Sequence, residues 1–284
     1  MSPTSMRTYA ITTRLGLDGQ VRQYGSGGPL VVYFHGASGL FAEEPFLEAL
    51  GAAGYSVHAP QWPGYGEEPT EDRLMDMQDF ALHGWDLVDA ITDAITDATT
   101  DSPAGPHLIG LDFGAMIAAE MACISRRDLH RLVLIGPLGL WLDAHPIADL
   151  FATLPYEFPR LLFADAERGA ALMTGGLDFE DPKAIEAFMV SNSRRLGTAG
   201  KVLFPIPNRR LSKRLYRLSA PTLLAWGSQD RFIPPEHFGP AWQALVPHSS
   251  RCEIDGAGHL VTLERPGELA TAVTDFLGAP GPTL

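Results

Sequence analysis

Cysteine is nearly missing from this chain: Cys123 and Cys252 are the two in 284 residues. Two cannot build the disulfide framework of a small secreted domain. They read as reduced, partly buried thiols, and the expected location is cytoplasmic. Long hydrophobic runs are missing too. None approaches the roughly 20 residues that a membrane-spanning helix requires, and the first residues, MSPTSMRTYA, lack the apolar stretch of a signal peptide. Positive charge is scarce, with 21 Lys and Arg against 34 Asp and Glu and a formal net charge of −13. That balance argues against nucleic acid or an anionic membrane as partner, since either needs a basic face. No H-E-x-x-H, no paired C-x-x-C and no Walker loop occurs, so the sequence motivates no metal site and no cofactor.

What is present is ordinary globular material, 45% hydrophobic and 19% charged. Short apolar runs alternate with longer stretches of helical spacing. Strands are expected at 8–13 and 20–24, joined by a turn at Asp18-Gly19, and at 30–34, 55–59, 107–111, 131–135, 222–226 and 251–254. Helices are expected at 44–53, 74–97, from 112 to about 124, at 237–245 and at 266–277. Continuous runs such as LVVYF at 30–34 suit strands covered on both faces. The alternation predicts an α/β fold with a mainly parallel sheet flanked by helices. Residues 137–218 break the rhythm. They hold helix-like pieces at 147–153, 167–173, 182–194 and 208–216 and no convincing strand. The expected organisation is therefore a core domain of residues 1–136 and 219–278, a helical cap or lid of 137–218 inserted between two strands, and a loose tail at 279–284. An insertion at the carboxyl end of a strand lies where open α/β sheets bind ligands.

The chemistry centres on His107-Leu108-Ile109-Gly110-Leu111-Asp112-Phe113-Gly114-Ala115-Met116. A strand ends, G-x-D-x-G follows, and a helix begins. This is the strand–turn–helix setting of a nucleophile elbow. Glycines at 110 and 114 leave room for the tight turn. The helix N-terminus and the Phe113 N–H favour negative charge at residue 112.

At these residues the chain resembles the α/β-hydrolase fold superfamily. Four further segments fit. His35-Gly36-Ala37-Ser38-Gly39 follows a strand and is similar to the family's oxyanion loop. Pro63-Gly64-Tyr65-Gly66 resembles its PGxG turn. Trp226-Gly227-Ser228-Gln229-Asp230 resembles the loop of the triad acid, and Gly256-Ala257-Gly258-His259 the loop of the triad histidine. The order nucleophile, acid, histidine is the family's. The resemblance implies an Asp112–His259–Asp230 triad, an oxyanion hole made by the Ala37 and Phe113 N–H groups, and His35 bracing the oxyanion loop.

Residue 112 is Asp where most members carry Ser. That resembles the aspartate-nucleophile branch, the epoxide hydrolases and haloalkane or haloacetate dehalogenases. An ionised carboxylate can attack an sp3 carbon without a base to activate it. The expectation is a cofactor-independent hydrolase that forms an alkyl ester on Asp112, then hydrolyses it with water activated by His259. Its substrate would be small to medium and largely apolar, an epoxide ahead of a halide. The protein would be a monomer or homodimer. Ring opening needs an acid, and Tyr156 in the lid is the candidate, ahead of Tyr216. Trp141 and His145 are candidate pocket residues. Three departures keep alternatives open: HGAS in place of HGxP, Phe113 where an indole would hold halide, and a loop closer to esterases and C–C-bond hydrolases. The alternatives are an esterase, lactonase or C–C-bond hydrolase scaffold with Ser replaced by Asp, and a non-hydrolytic lyase or ligand-binding member of the fold.

Overall fold

A computed structural model describes residues 6–66, 70–95, 105–175, 177–178 and 180–278. The expected tail at 279–284 and the end of the 74–97 helix beyond residue 95 lie outside the described residues. Eight strands form one sheet: β1 (Arg7–Thr12), β2 (Asp18–Tyr24), β3 (Leu30–Phe34), β4 (Ser56–Pro60), β5 (His107–Leu111), β6 (Arg131–Ile135), β7 (Thr222–Gly227) and β8 (Ser250–Ile254). Their order is β1-β2-β4-β3-β5-β6-β7-β8. β1 pairs antiparallel with β2, and β2 with β4; every other pairing is parallel. Strands β4, β5 and β6 are buried at every residue, as continuous apolar runs demand when helices cover both faces. The β1–β2 turn sits at Thr13 to Leu17, where Gly16 takes φ +73° and its N–H reaches Thr13 O. Asp18 and Gly19, expected to make that turn, open β2 instead.

The helices are α1 (Pro45–Ala52), α2 (Met77–Ile95), α3 (Phe113–Ile124), α4 (Phe158–Leu162), α5 (Ala166–Thr174), α6 (Pro182–Leu203), α7 (Pro235–Leu245), α8 (Val261–Glu264) and α9 (Pro266–Gly278). Helix α3 carries no charged residue except Glu120 and is buried along almost its whole length, packed on β5 and β6. Among the described residues between β6 and β7 there is no strand, and three helices occupy that stretch.

Two expectations within this stretch fail. Residues 147–153 form no helix: the Asp149 carboxylate accepts from the N–H of Phe151 and Ala152 and folds the chain into a turn. Residues 208–216 give only two short 3₁₀ turns, Leu211–Lys213 and Leu215–Arg217. Helix α4 was not expected from the sequence. Helix α6 runs nine residues past the expected end, and its N-cap Asp181 accepts from Lys183 N–H at 2.9 Å.

Candidate active site

The carboxyl ends of β3, β5, β6 and β7 and the loop after β8 bring the chemistry-bearing residues together. Asp112 occupies the turn between β5 and α3 with φ 54° and ψ −113°. A non-glycine residue rarely holds that conformation, at a cost on the order of 1–3 kcal/mol, and it persists where surrounding contacts fix it. Here the Asp112 N–H donates to Ile135 O at 2.9 Å, and its carbonyl accepts from Met116 N–H at 3.1 Å. The turn aims the side chain off the sheet edge.

The two oxygens of Asp112 have different surroundings. Oδ2 accepts from the Ala37 N–H at 2.9 Å, and the Phe113 N–H weakly favours the charged carboxylate. Among the described residues, Oδ1 is buried without a hydrogen-bond partner. It lies 3.9 Å from His259 Nε2, beyond hydrogen-bond length, and that nitrogen is likewise buried and unpartnered. On its far side, His259 Nδ1 meets Asp230 Oδ2 at 2.7 Å. Asp230 Oδ1 accepts from the N–H groups of Phe232 and Ile233 at 2.9 and 2.8 Å. The Phe232 ring stands edge-on to the imidazole, 4.9 Å away.

Burial dominates the electrostatics. It pushes the Asp112 carboxyl up from 3.8 to about 6, against the opposing pull of His259 and the Ala37 N–H; Asp230 adds to the rise and the Phe113 N–H resists it. Burial pulls the His259 imidazole down, but the Asp230 charge, its hydrogen bond and the Asp112 charge together push it above its ordinary value.

Gly36 is set by Asp112. A Cβ there would come 2.9 Å from Oδ2 and 3.1 Å from the Asp112 Cβ. His35 bonds the backbone of the same loop and is not among the residues lining the cleft. Its Nδ1 pairs with Gly36 O at 2.9 Å and its Nε2 accepts from Trp62 N–H at 3.1 Å, which assigns the neutral ring with hydrogen on Nδ1. Burial holds that ring down to about 4.

A cleft opens over Asp112. Ala37, Ser38 and Phe41 form its floor side, with Phe232 beside them. Leu150, Phe158, Leu162, Met173, Phe188, Asn192, Arg195 and Leu196 come from the segment between β6 and β7. The walls are mainly apolar, and Arg195 is the charged group among them besides Asp112. Its Nη1 donates to Ser38 O at 3.0 Å, and its Nη2 lies 3.5 Å from Asn192 Oδ1. Its Nε is buried without a hydrogen-bond partner among the described residues.

Several expected pocket residues lie elsewhere. Tyr156 is 73% exposed and Tyr216 80% exposed, and neither lines the cleft. His145 is exposed and stacks on His237 at 3.5 Å between ring centres. Trp141 donates its indole N–H to Asp143 Oδ1 at 3.0 Å and lines a neighbouring cleft that shares Leu150 and Phe232 with the first. The Phe113 ring points into the core against Trp62 and Phe80, so its lack of an N–H does not bear on the cleft. Sequence reasoning missed Arg195 and Asn192. The signal was there, since Phe188, Asn192, Arg195 and Leu196 fall at i, i+4, i+7 and i+8 on one helix face.

A model of the alpha/beta hydrolase family matches residues 31–272. The 2-hydroxy-6-oxononadienedioate/2-hydroxy-6-oxononatrienedioate hydrolase 2 of Pseudomonas putida is 29% identical over 273 residues, 89% of each chain. The 2-hydroxy-6-oxo-6-phenylhexa-2,4-dienoate hydrolase of Burkholderia cepacia is 26% identical over 281 residues, 89% of this chain and 88% of the relative. A solved variant of the meta-cleavage product hydrolase CumD is similar with a TM-score of 0.71 at 18% identity, covering 95% of this chain and 97% of that one. None of these three is named as an epoxide hydrolase or a dehalogenase.

Proposed function

The chain belongs to the alpha/beta hydrolase family, and from that membership we propose that it is a hydrolase whose nucleophile is Asp112, acting through a covalent ester. The observation that carries this reading is the division of labour between the two carboxylate oxygens. Oδ2 rests on the Ala37 N–H with the Phe113 N–H next in the chain, while Oδ1 is bare and lies 3.9 Å from His259 Nε2. In a serine-type site those N–H groups await the substrate's carbonyl oxygen. Here the enzyme's own oxygen fills the place, which suits a carboxylate that becomes the acyl half of an ester.

In the first half, Oδ1 attacks an sp3 carbon in line. The new C–O bond forms as the bond to the leaving group breaks, and the leaving group keeps the electron pair. In the second half, His259 Nε2 takes a proton from water, and the hydroxide adds to Cγ of Asp112. The charge that develops on Oδ2 is held by the Ala37 N–H already bonded to it, with the Phe113 N–H as the second donor of the hole. Collapse expels the product alkoxide, which takes the proton from His259. Asp230 orients the imidazole and stabilises its charged form. The segment 137–218 acts as the lid that excludes water during the first half.

The leaving group needs a donor, and Tyr156 is remote. Arg195 and Asn192 supply the polar end of an otherwise apolar cleft. They favour a substrate that is apolar at the reacting carbon and anionic, or becoming so, at the other end. A C–C-bond hydrolase reading is favoured by a separate observation: the curated relatives act, by name, on dienoate and dienedioate substrates, which carry the carboxylates an arginine would bind.

Single turnover in heavy-oxygen water separates the two. The ester mechanism places label in the Asp112 carboxylate, and His259→Gln traps the ester on the protein. A chain that turns over without labelling Asp112 would falsify the reading. A sharp gain in ester or C–C-bond hydrolysis on Asp112→Ser supports the second one.

A further inference from the structure

His259 stands between two residues that are each tied to the helical segment over the cleft. On one side, the Leu260 N–H donates to Leu162 O at 3.0 Å. On the other, the Gly258 N–H donates to Glu264 Oε2 at 2.6 Å. Glu264 ends α8 and is 7% exposed. Its Oε1 accepts from the N–H of Ala164 at 3.0 Å and of Asp165 at 3.2 Å, and Oε2 also reaches the Ala164 N–H at 3.1 Å. Its partners are thus three backbone N–H groups, one from the histidine loop and two from the α4–α5 connection. A buried carboxylate requires such partners, and each is worth more than a neutral hydrogen bond.

The same strip of chain grips the acid loop. Arg231 Nη1 donates to Arg160 O at 3.0 Å and Phe163 O at 2.9 Å. The backbones are in direct contact as well: a Cβ on Gly258 would lie 2.6 Å from Ala164 N. Phe158 and Leu162, at the two ends of α4, wall the cleft. The residues that shape the cleft and the residue flanking the imidazole therefore share one buried carboxylate.

We propose that Glu264 is a positioning residue for His259. It joins the α4–α5 connection to the histidine loop, so the imidazole faces Asp112 only while residues 158–165 are seated on the core. The part of the lid that admits substrate must then be α5–α6, because displacing α4 would carry the base away with it. The inference rests on His259 being the base of the proposed hydrolysis.

Glu264→Gln tests this. The variant keeps the side chain's shape but turns an amide NH₂ toward one of the N–H donors. Three readouts apply. The first is the downfield proton resonance of His259 Nδ1–H in its bond to Asp230, recorded without substrate. It should shift and broaden in Glu264→Gln. The second is hydrogen exchange in the unmodified chain. The Ala164, Asp165, Gly258 and Leu260 amides should open together as one unit. The third is turnover, where kcat should fall by roughly 10²-fold with KM little changed.

An unchanged resonance in a folded variant overturns the proposal, and so does independent exchange of 164–165 and 258–260 in the unmodified chain. The exchange measurement stands even if the variant does not fold. His259→Gln distinguishes the two levels. If it retains turnover, the catalytic reading fails, while the resonance and the exchange still decide the coupling.

Discussion

Asp112→Asn should abolish turnover and stabilise the fold at neutral pH. The magnitude follows from the site. Burial raises the Asp112 carboxyl from 3.8 to about 6, which opposes its ionised form in the folded chain by about 3 kcal/mol. The sign follows from which state holds the proton. The folded chain binds the proton more tightly than the unfolded one, so the penalty is full above the folded value of about 6. It shrinks as pH falls toward the unfolded value of 3.8. Asparagine fits the same space, its oxygen can still accept from Ala37 N–H, and it carries no charge to desolvate. Urea unfolding near pH 8 should find the variant more stable by about 1–3 kcal/mol, the lower end allowing for the cost of burying the new amide NH₂. Near pH 5 the difference should be roughly half as large. A variant no more stable than the parent near pH 8, or a difference that does not change with pH, refutes the argument that Asp112 is held ionised against its surroundings.

Further outcomes follow from the same geometry. The pH profile of kcat/KM should rise through about 6 as Asp112 ionises. Hydrolysis of the ester in the parent chain should rise with pH as His259 loses its proton, since only the neutral imidazole can accept one from water. A falling alkaline limb would instead point to a tyrosine acid. Gly36→Ala should lower kcat/KM by roughly 10²-fold while the chain stays folded, because the new methyl would sit 2.9 Å from Asp112 Oδ2. Steady-state rates and a thermal melt check both halves, and an active variant would mean that Oδ2 does not need its place on Ala37 N–H. Arg195→Met should raise KM for substrates with an anionic group by roughly 10- to 100-fold, the worth of a charged hydrogen bond, and leave neutral analogues unaffected. An equal loss for both kinds of substrate would show that Arg195 serves only to hold Ser38 O.

The sequence by itself determined the sheet and the chain order of the site. Strands β3, β5 and β6 fall where expected because burial on both faces leaves an unbroken apolar run that needs no partner to be read. Asp112, Asp230 and His259 were legible for a related reason. Each sits just beyond a strand, and a parallel sheet delivers all its carboxyl ends to one edge. The β1–β2 turn was misplaced by a few residues because Asp18-Gly19 and Gly16 are both turn signals, and only the pairing register chooses between them.

The segment over the cleft was decided by tertiary structure. Its length and helical character show in the sequence, yet residues 147–153 yield to a side-chain bond from Asp149 that competes with the helix. Tyr156 faces solvent and Arg195 faces the cleft, a choice made by how each piece is rotated against the core. Spacing groups Arg195 with Phe188, Asn192 and Leu196 on one helix face, but it does not say which way that face turns. Glu264 shows the same limit. A lone acid near a chain's final histidine carries no signal in sequence, because its partners, Gly258 on one side and Ala164 and Asp165 about a hundred positions away, meet only in the folded molecule.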